Sequence, residues 1–246
     1  MDLHLSGKTA VVTGASKGIG LAVTQALVDA GAHVIAGARR RGEGLRVLEE
    51  SGQVPFVPVD LSQRDAAEEL VAAAAHRGGI DLLVNNLGTV AVRTGGFAGI
   101  SDDEWQASWD LNVMGTVRPT RAALPEIERG GGGSIVIVGS VNAYYPDPAI
   151  YDYCATKAAV ANLAKALSKE LAPKNIRVNS VSPGPVSTGL WMDEGGVADG
   201  FAKAAGQTPD DIKAMVADLI VFLASDRAGN TTGSDYRIDG GLISTL

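Results

Sequence analysis

The chain of 246 residues is poor in cysteine, in aromatic residues and in long apolar runs. With Cys154 as its one cysteine it cannot form an intrachain disulfide, which favours a reducing compartment. No apolar run is long enough to cross a bilayer, and residues 1–8 lack the apolar segment of a secretory signal peptide. We therefore expect a soluble, cytoplasmic protein that does not associate with membranes.

An excess of basic charge is also missing, since the net charge is −7 and the pI is about 5.0. This balance argues against a surface that tracks nucleic acid phosphates. The three histidines, His4, His33 and His76, have no ligand spacing, so we expect no metal site. What is abundant is Ala, Val, Leu and Gly, a mixture typical of helices packed tightly on a parallel sheet.

Short apolar runs alternate with longer amphipathic segments along the whole chain. Strands are predicted at Thr9–Thr13, His33–Gly37, Val54–Val59, Asp81–Val84, Ser134–Val138, Arg177–Ser180 and Asp235–Ile238. Helices are predicted at Gly18–Ala30, Leu45–Ser51, Gln63–Arg77, Asp102–Glu128, Tyr151–Ala172 and Asp210–Ala224. This alternation predicts an α/β fold, a Rossmann-like doubly wound parallel sheet with helices on both faces, as a single domain over residues 1–246. We expect Pro119 to interrupt the long fourth helix, and Trp105 and Trp109 to face the core.

A glycine-rich turn follows the first predicted strand, with Gly14, Gly18 and Gly20 in the spacing G-x-x-x-G-x-G. Glycines let the backbone approach a pyrophosphate, and the N-terminus of the next helix favours an anion. The spacing is weak by itself in a chain with 31 glycines, and a tight turn without a ligand is the alternative. Its place between the first strand and the first helix favours dinucleotide binding.

The second strand ends in Arg39-Arg40-Arg41 and has no carboxylate for a ribose 2′-hydroxyl, the usual mark of an NAD site. Arg39, together with Lys17 in the glycine turn, is better suited to a 2′-phosphate. We therefore expect NADP(H) to be preferred, with NAD(H) possible. The alternative is that the three arginines form only a solvated helix face.

Tyr153 and Lys157 are four residues apart, so they share one face of a predicted helix. Ser140 follows the fifth strand, and the next loop leads into that helix. Reduction of a carbonyl needs a proton on oxygen, and tyrosine needs help to act as the acid at neutral pH. We expect Lys157 and a positively charged nicotinamide ring to lower the pKa of Tyr153, and Ser140 to donate a hydrogen bond to the substrate oxygen.

These motifs resemble, in order and from end to end, the short-chain dehydrogenase/reductase family in its single-domain form. The matching positions are Thr13–Gly20, Asp60, Asn85-Asn86-Leu87-Gly88, Asn112, Ser140, Tyr153 with Lys157, and Pro183-Gly184 with Thr188. The resemblance implies an oxidoreductase that moves hydride between a nicotinamide cofactor and a carbonyl or alcohol. It also implies seven strands in the order 3-2-1-4-5-6-7 and a homotetramer.

The resemblance further implies roles for individual residues. Asp60 would contact the adenine beside Leu61, and Asn112 would hold a water that links Lys157 to solvent. The implied catalytic residues are Asn112, Ser140, Tyr153 and Lys157. The implied cofactor-binding residues are Gly14, Ser16, Lys17, Gly18, Ile19, Gly20, Arg39, Asp60, Leu61, Asn86, Gly88, Tyr153, Lys157, Pro183, Gly184, Val186 and Thr188.

The chain departs from the family pattern at two places. Leu87 stands where alanine is usual, which makes the wall of the cleft bulkier. A Gly-Arg…Pro-Glu stretch is absent after Met215, which indicates either a shorter substrate lid or, as we favour, a segment missing from the sequence.

Three functions compete on this sequence. The first is an NADP(H)-dependent carbonyl reductase, or alcohol dehydrogenase in reverse. The second is a 3-oxoacyl carrier-protein reductase, for which Arg129 and Lys174 would contact an acidic carrier. The third is an NADP(H)-binding scaffold without turnover, which would not need the four catalytic residues. Tyr144, Tyr145, Trp191 and Met192 flank the expected substrate mouth and favour either an apolar pocket or a surface patch.

Overall fold

Seven short strands rich in Val, Ile and Ala form one parallel sheet in the computed structural model, which describes residues 2–185 and 208–244. They are β1 (Thr9–Thr13), β2 (His33–Ala38), β3 (Phe56–Pro58), β4 (Leu82–Asn85), β5 (Gly133–Val138), β6 (Ile176–Pro183) and β7 (Asp235–Ile238). Their order is β3-β2-β1-β4-β5-β6-β7, and every pairing is parallel. The predicted fold and strand order are confirmed. The order reverses between β1 and β4, where doubly wound sheets open a crevice for ligands.

Helices cover both faces of the sheet. They are α1 (Gly18–Asp29), α2 (Glu43–Glu50), α3 (Ala66–Ala75), α4 (Asp102–Trp109), α5 (Gly115–Arg129), α6 (Tyr151–Leu171) and α7 (Pro209–Ala224). One apolar core joins Leu27 of α1 to Ile220 of α7, and the other joins Leu70 of α3 to Val160 of α6. Among the described residues, no helix combines the length and the apolar character that a bilayer crossing requires.

The predicted fourth helix is divided at a different place than expected. A π-helical turn, Asp110–Met114, separates α4 from α5, whereas α5 continues through Pro119. The expected interruption at Pro119 is therefore wrong. The expected core position of Trp109 is also wrong, because Trp109 is 40% exposed. The one buried residue of α4 is Ser108, so the inner face of this short helix is centred on a serine rather than on the tryptophans.

Helix α7 runs without a break through Met215, the point at which the family stretch is absent. Thr208 begins the helix with a capping box, because its hydroxyl accepts the Asp211 N–H and the Asp211 carboxylate accepts the Thr208 N–H. The chain thus joins the two sides of the absent stretch within one regular helix.

Candidate active site

The glycine turn lies at the carboxyl end of β1, beside the crevice. Gly14 has φ of +66° and Gly18 has φ of +58°, values that favour glycine. A Cβ on Gly20 would overlap the Gly14 carbonyl, so this close approach also requires glycine. The turn leaves the N-terminus of α1 open, with no side-chain cap and no acidic residue in its first turn. This arrangement suits an anion such as a pyrophosphate.

Thr13 and Asn86 brace this turn, a role that sequence reasoning did not assign to Thr13. The Thr13 hydroxyl accepts the backbone N–H groups of Asn86 and Leu87, both at 3.0 Å. The Asn86 side-chain amide donates to the carbonyl oxygens of Thr13 at 3.0 Å and Gly14 at 3.1 Å. Asn86 therefore holds the shape of the turn, in addition to its predicted place on the wall of the cleft.

The next cluster lies at the ends of β2 and β3. Burial raises the pKa of Asp60, but hydrogen bonds from Ser62 and the nearby charge of Arg39 outweigh it and hold the pKa below its ordinary value. Arg39, predicted to bind a 2′-phosphate, is exposed, and its charge acts on Asp60, which was predicted to contact the adenine. Arg41, in contrast, pairs with Glu49 at 2.6 Å. Arg39 and Arg41 therefore differ in the acidic residue that each lies near.

Leu61 is buried beside Asp60 and is supported by Arg118, which the sequence did not single out. The Arg118 guanidinium donates to the carbonyl oxygens of Leu61 at 3.1 Å and Ser62 at 2.7 Å, and it pairs with Asp110 at 3.0 Å. An arginine inside an otherwise ordinary helix gives no sequence signal for this role. Arg118 ties the segment after β3 to the π turn.

Asn112 lies at the centre of the π turn and is 1% exposed. Its Oδ1 accepts the Thr89 N–H at 2.8 Å, and its Nδ2 donates to the Thr89 carbonyl at 3.0 Å. A Cβ on Gly88 would stand 3.3 Å from both Asn112 Oδ1 and Lys157 Nζ. Glycine at position 88 therefore keeps open the space beside the two polar groups. π turns often mark functional sites, and this one contains a predicted catalytic residue.

Leu87, the first departure from the family pattern, is accommodated by a glycine opposite it. A Cβ on Gly115 would lie 3.1 Å from Leu87 Cδ2, which is a tight contact. The leucine side chain thus packs toward the start of α5, into the space that Gly115 leaves. The larger side chain is therefore accommodated where the π turn meets α5.

Ser140 follows β5 and is 6% exposed. Its hydroxyl donates to Asn142 Oδ1 at 3.1 Å and accepts the Asn142 N–H at 3.2 Å, while Asn142 Nδ2 donates to the Tyr145 carbonyl at 3.1 Å. Ser140 also hydrogen-bonds Tyr153. The Ser140 hydroxyl is therefore already engaged by Asn142 and Tyr153 before a substrate arrives.

Tyr153 and Lys157 share a face of α6, as predicted. The Lys157 ammonium lies 5.6 Å from the centre of the Tyr153 ring and donates to the Val138 carbonyl at 2.8 Å. Burial lowers the pKa of Lys157 to about 8. Burial also raises the pKa of Tyr153, although the hydrogen bond with Ser140 acts in the opposite direction. The expected lowering by Lys157 is not present here, because the ammonium lies over the ring rather than at the hydroxyl.

The remaining predicted residues lie beside β6 and β7 or outside the described part of the chain. Pro183 ends β6, and a Cβ on Gly184 would lie 3.0 Å from the Cα of Asp239, so this segment packs on the end of β7. Tyr144 is 50% exposed and stacks with Arg237 at 5.9 Å, which favours a surface position on the β7 side. Val186, Thr188, Trp191 and Met192 lie outside the described residues.

The family profile described as short chain dehydrogenase matches residues 8–196. The chain belongs to the short-chain dehydrogenase/reductase family. Like the named members of the family, this short-chain dehydrogenase is an NAD(P)-dependent oxidoreductase that acts on CH–OH groups.

Two relatives and one solved structure are similar to this chain over nearly its whole length. An uncharacterized oxidoreductase of Bacillus subtilis is 35% identical, with all of both chains covered. Dehydrogenase/reductase SDR family member 4 of Sus scrofa is 36% identical over 98% of this chain and 89% of that protein. L-sorbose reductase of Gluconobacter frateurii, solved with NADPH and L-sorbose, has 35% identity and a TM-score of 0.88 over all of both chains. The alignment with the Bacillus protein spans 271 positions, so some of its positions have no residue in this shorter chain.

Proposed function

We propose that this short-chain dehydrogenase reduces the carbonyl of a small ketone or aldehyde to an alcohol with NADPH, and catalyses the reverse reaction with NADP⁺. The observation that carries the proposal is the meeting of Ser140, Tyr153 and Lys157 where β5 and α6 approach each other, beside the space that Gly88 leaves open. A hydroxyl donor, a proton donor and a cation at one point match the needs of carbonyl reduction.

The nicotinamide cofactor, when bound, supplies the hydride that adds to the carbonyl carbon. Tyr153 gives its phenolic proton to the carbonyl oxygen as negative charge develops there. Ser140 turns its hydroxyl hydrogen from Asn142 toward that oxygen and stabilises the charge. Lys157, which is cationic below its pKa of about 8, is proposed to take part in the relay that returns a proton to Tyr153. Asn112, next to Lys157, is proposed to hold the water through which the proton is replaced.

The glycine turn fits the pyrophosphate of a dinucleotide, because Gly14 and Gly20 keep backbone groups at its surface free of side chains. We assign Ser16, Lys17, Gly18 and Ile19 to the same cradle, and Asp60 and Leu61 to the adenine end. Arg39 and Lys17 are exposed cations and are proposed to bind the 2′-phosphate of NADP(H). The NADPH in the Gluconobacter structure supports this preference.

For the substrate we propose a small polyhydroxylated ketone, by likeness to the sorbose reductase, and Pro183, Gly184, Val186 and Thr188 are proposed to lie at the nicotinamide. A carrier-protein substrate is disfavoured by two ion pairs. Arg129 pairs with Glu126, and Lys174 pairs with Glu128 at 2.7 Å, so both cations already have acidic partners. A scaffold without turnover would have no use for the assembled catalytic residues. We further propose a cytoplasmic homotetramer, which sedimentation velocity at micromolar concentration would show.

The test is oxidation of NADPH with a panel of ketoses, simple ketones and β-ketoacyl thioesters, using the wild-type chain and Tyr153→Phe. Loss of the phenolic proton donor should lower kcat by about 10²- to 10⁴-fold with any accepted ketone. Tyr151→Phe is the matched control, because it removes a hydroxyl from the same helix two residues away, and it should retain turnover. Near-wild-type turnover by Tyr153→Phe would refute the acid–base assignment.

A further inference from the structure

Asn142 lies two residues after Ser140 and is half-buried beside it. Its side-chain Nδ2 donates to the Tyr145 carbonyl oxygen at 3.1 Å. Because a carbonyl oxygen only accepts hydrogen bonds, it must face the NH₂ group of the amide. The other end of the amide, Oδ1, is therefore turned toward the Ser140 hydroxyl, which lies 3.1 Å away. Asn142 thus presents a hydrogen-bond acceptor to the predicted catalytic serine.

The Ser140 hydroxyl is bonded to Asn142 in both directions. It accepts the Asn142 backbone N–H at 3.2 Å and donates its hydrogen to Asn142 Oδ1. Among the hydrogen bonds of residues 2–185 and 208–244, the one that reaches Asn142 Oδ1 comes from Ser140. A serine hydroxyl has a single hydrogen to donate. A substrate carbonyl that takes this hydrogen therefore leaves Asn142 Oδ1 without its donor.

The loss of this donor distinguishes one ketone from another. An acceptor that loses its partner in a half-buried site weakens binding unless the ligand supplies a new donor. A hydroxyl on the carbon next to the carbonyl can supply it. Oxygens on adjacent carbons lie about one hydrogen-bond length apart, which matches the 3.1 Å between Ser140 Oγ and Asn142 Oδ1. An α-hydroxy ketone can therefore accept from Ser140 and donate to Asn142 at the same time.

We propose that Asn142 is a specificity-determining residue, which recognises the hydroxyl group next to the carbonyl of an α-hydroxy ketone. The proposal rests on the proposed function, since it names the substrate class of that same site. Hydride adds to the carbonyl carbon and Tyr153 protonates the carbonyl oxygen, as in the proposed reduction of any ketone. The neighbouring hydroxyl keeps its proton and its bond to carbon, so the product is a vicinal diol.

Three small ketones separate recognition of the hydroxyl hydrogen from effects on carbonyl reactivity and size. Hydroxyacetone carries the hydroxyl, methoxyacetone keeps the oxygen without a hydrogen to donate, and 2-butanone has a methyl group in place of the hydroxyl. In steady-state reduction with NADPH, the wild-type kcat/KM should be at least about tenfold higher for hydroxyacetone than for either of the others. Equal values for hydroxyacetone and methoxyacetone would overturn the proposal.

Substitutions of Asn142 test whether this residue is the source of the preference. Asn142→Ala removes the acceptor, so the preference for hydroxyacetone over methoxyacetone should fall to less than about threefold. General damage to the site would instead lower both values and keep their ratio. Asn142→Asp keeps an oxygen beside Ser140 and should retain the preference. Asn162→Ala, a change of an exposed asparagine on α6, is the matched control and should also retain it. A preference that survives in Asn142→Ala would overturn the proposal.

A second measurement does not depend on turnover. The side-chain amide signals of Asn142, followed by ¹⁵N NMR in the complex with NADP⁺, should shift when hydroxyacetone is added and stay in place when methoxyacetone is added. This selective shift in a protein that reduces no ketone would support recognition by Asn142 and count against the proposed function. Reduction of all three ketones without a selective shift would overturn the proposal and leave the proposed function intact.

Discussion

The two ends of the crevice use cations in opposite ways. After β1 and β2, Lys17 and Arg39 are exposed, and their charges are screened by water and salt. At the catalytic end, Lys157 is 4% exposed and its pKa is lowered to about 8 by burial. An exposed cation keeps its hydration and so costs little in folding, whereas the buried cation of Lys157 carries a folding cost.

The largest effect is expected from Lys157→Met, which removes the buried cation. We expect kcat to fall by about 10²- to 10³-fold, because the relay that is proposed to return a proton to Tyr153 loses its lysine. The measurement is steady-state reduction with NADPH. Lys165→Met, an exposed change on the same helix, is the control and should leave kcat near wild type.

The same variant should be more stable than wild type at neutral pH. A fall in pKa from 10.5 to about 8 corresponds to a cost of about 3 kcal/mol for the protonated form, offset by about 1 kcal/mol for the bond to Val138. Between pH 8 and 10.5 the native wild type binds fewer protons than the unfolded chain, so its stability rises with pH. The advantage of Lys157→Met in urea denaturation should therefore shrink from pH 7 to pH 10. An advantage that is constant with pH would show that Lys157 is not destabilised by burial.

An intermediate effect is expected from Arg39→Ala at the exposed end. Loss of a charge-assisted contact to a phosphate should weaken NADPH binding by about 10- to 50-fold and leave NADH binding unchanged. The difference should decrease as salt is raised. Arg40→Ala, a change of the neighbouring exposed arginine, is the matched control, and cofactor fluorescence titration is the measurement. Equal effects of the two substitutions would mean that the arginines act only through general charge.

The smallest effect concerns packing beside the catalytic end. Gly115→Ala would place a methyl group 3.1 Å from Leu87 Cδ2, and overpacking of this kind costs about 1–2 kcal/mol. Leu87→Ala should relieve the contact, so the double variant should be more stable than the sum of the single changes predicts. Additive free energies of unfolding would show that the two residues are not coupled.

Sequence periodicity predicted the parallel sheet, and the spacing of Tyr153 and Lys157 predicted that they share one helix face. Both features depend on local spacing, whereas the order of the strands was implied only by the resemblance to the family. The position of the helix break was not predicted, because a π turn inserts one residue into a helix without changing its composition. The proline in that region was the misleading signal.

Contacts between residues that are distant in the chain were also not predicted from the sequence. Arg93 donates to Asp152, which is 59 residues away, and an aspartate in the first turn of a helix is ordinarily explained by the helix dipole. Arg118 and Thr13 likewise act through partners that are distant in the chain. Of the three consecutive arginines, the sequence could not show that Arg41 is engaged by Glu49, since that pairing depends on the path of the chain between β2 and α2.

The Thr13 hydroxyl accepts two backbone N–H groups just after β4. These bonds affect how a cofactor can bind to the crevice. One side chain joins the ends of two strands, so the floor of the crevice is ordered as soon as the chain folds. A dinucleotide bound at this floor, as proposed, should cost little backbone conformational entropy, and its binding should involve little backbone rearrangement there.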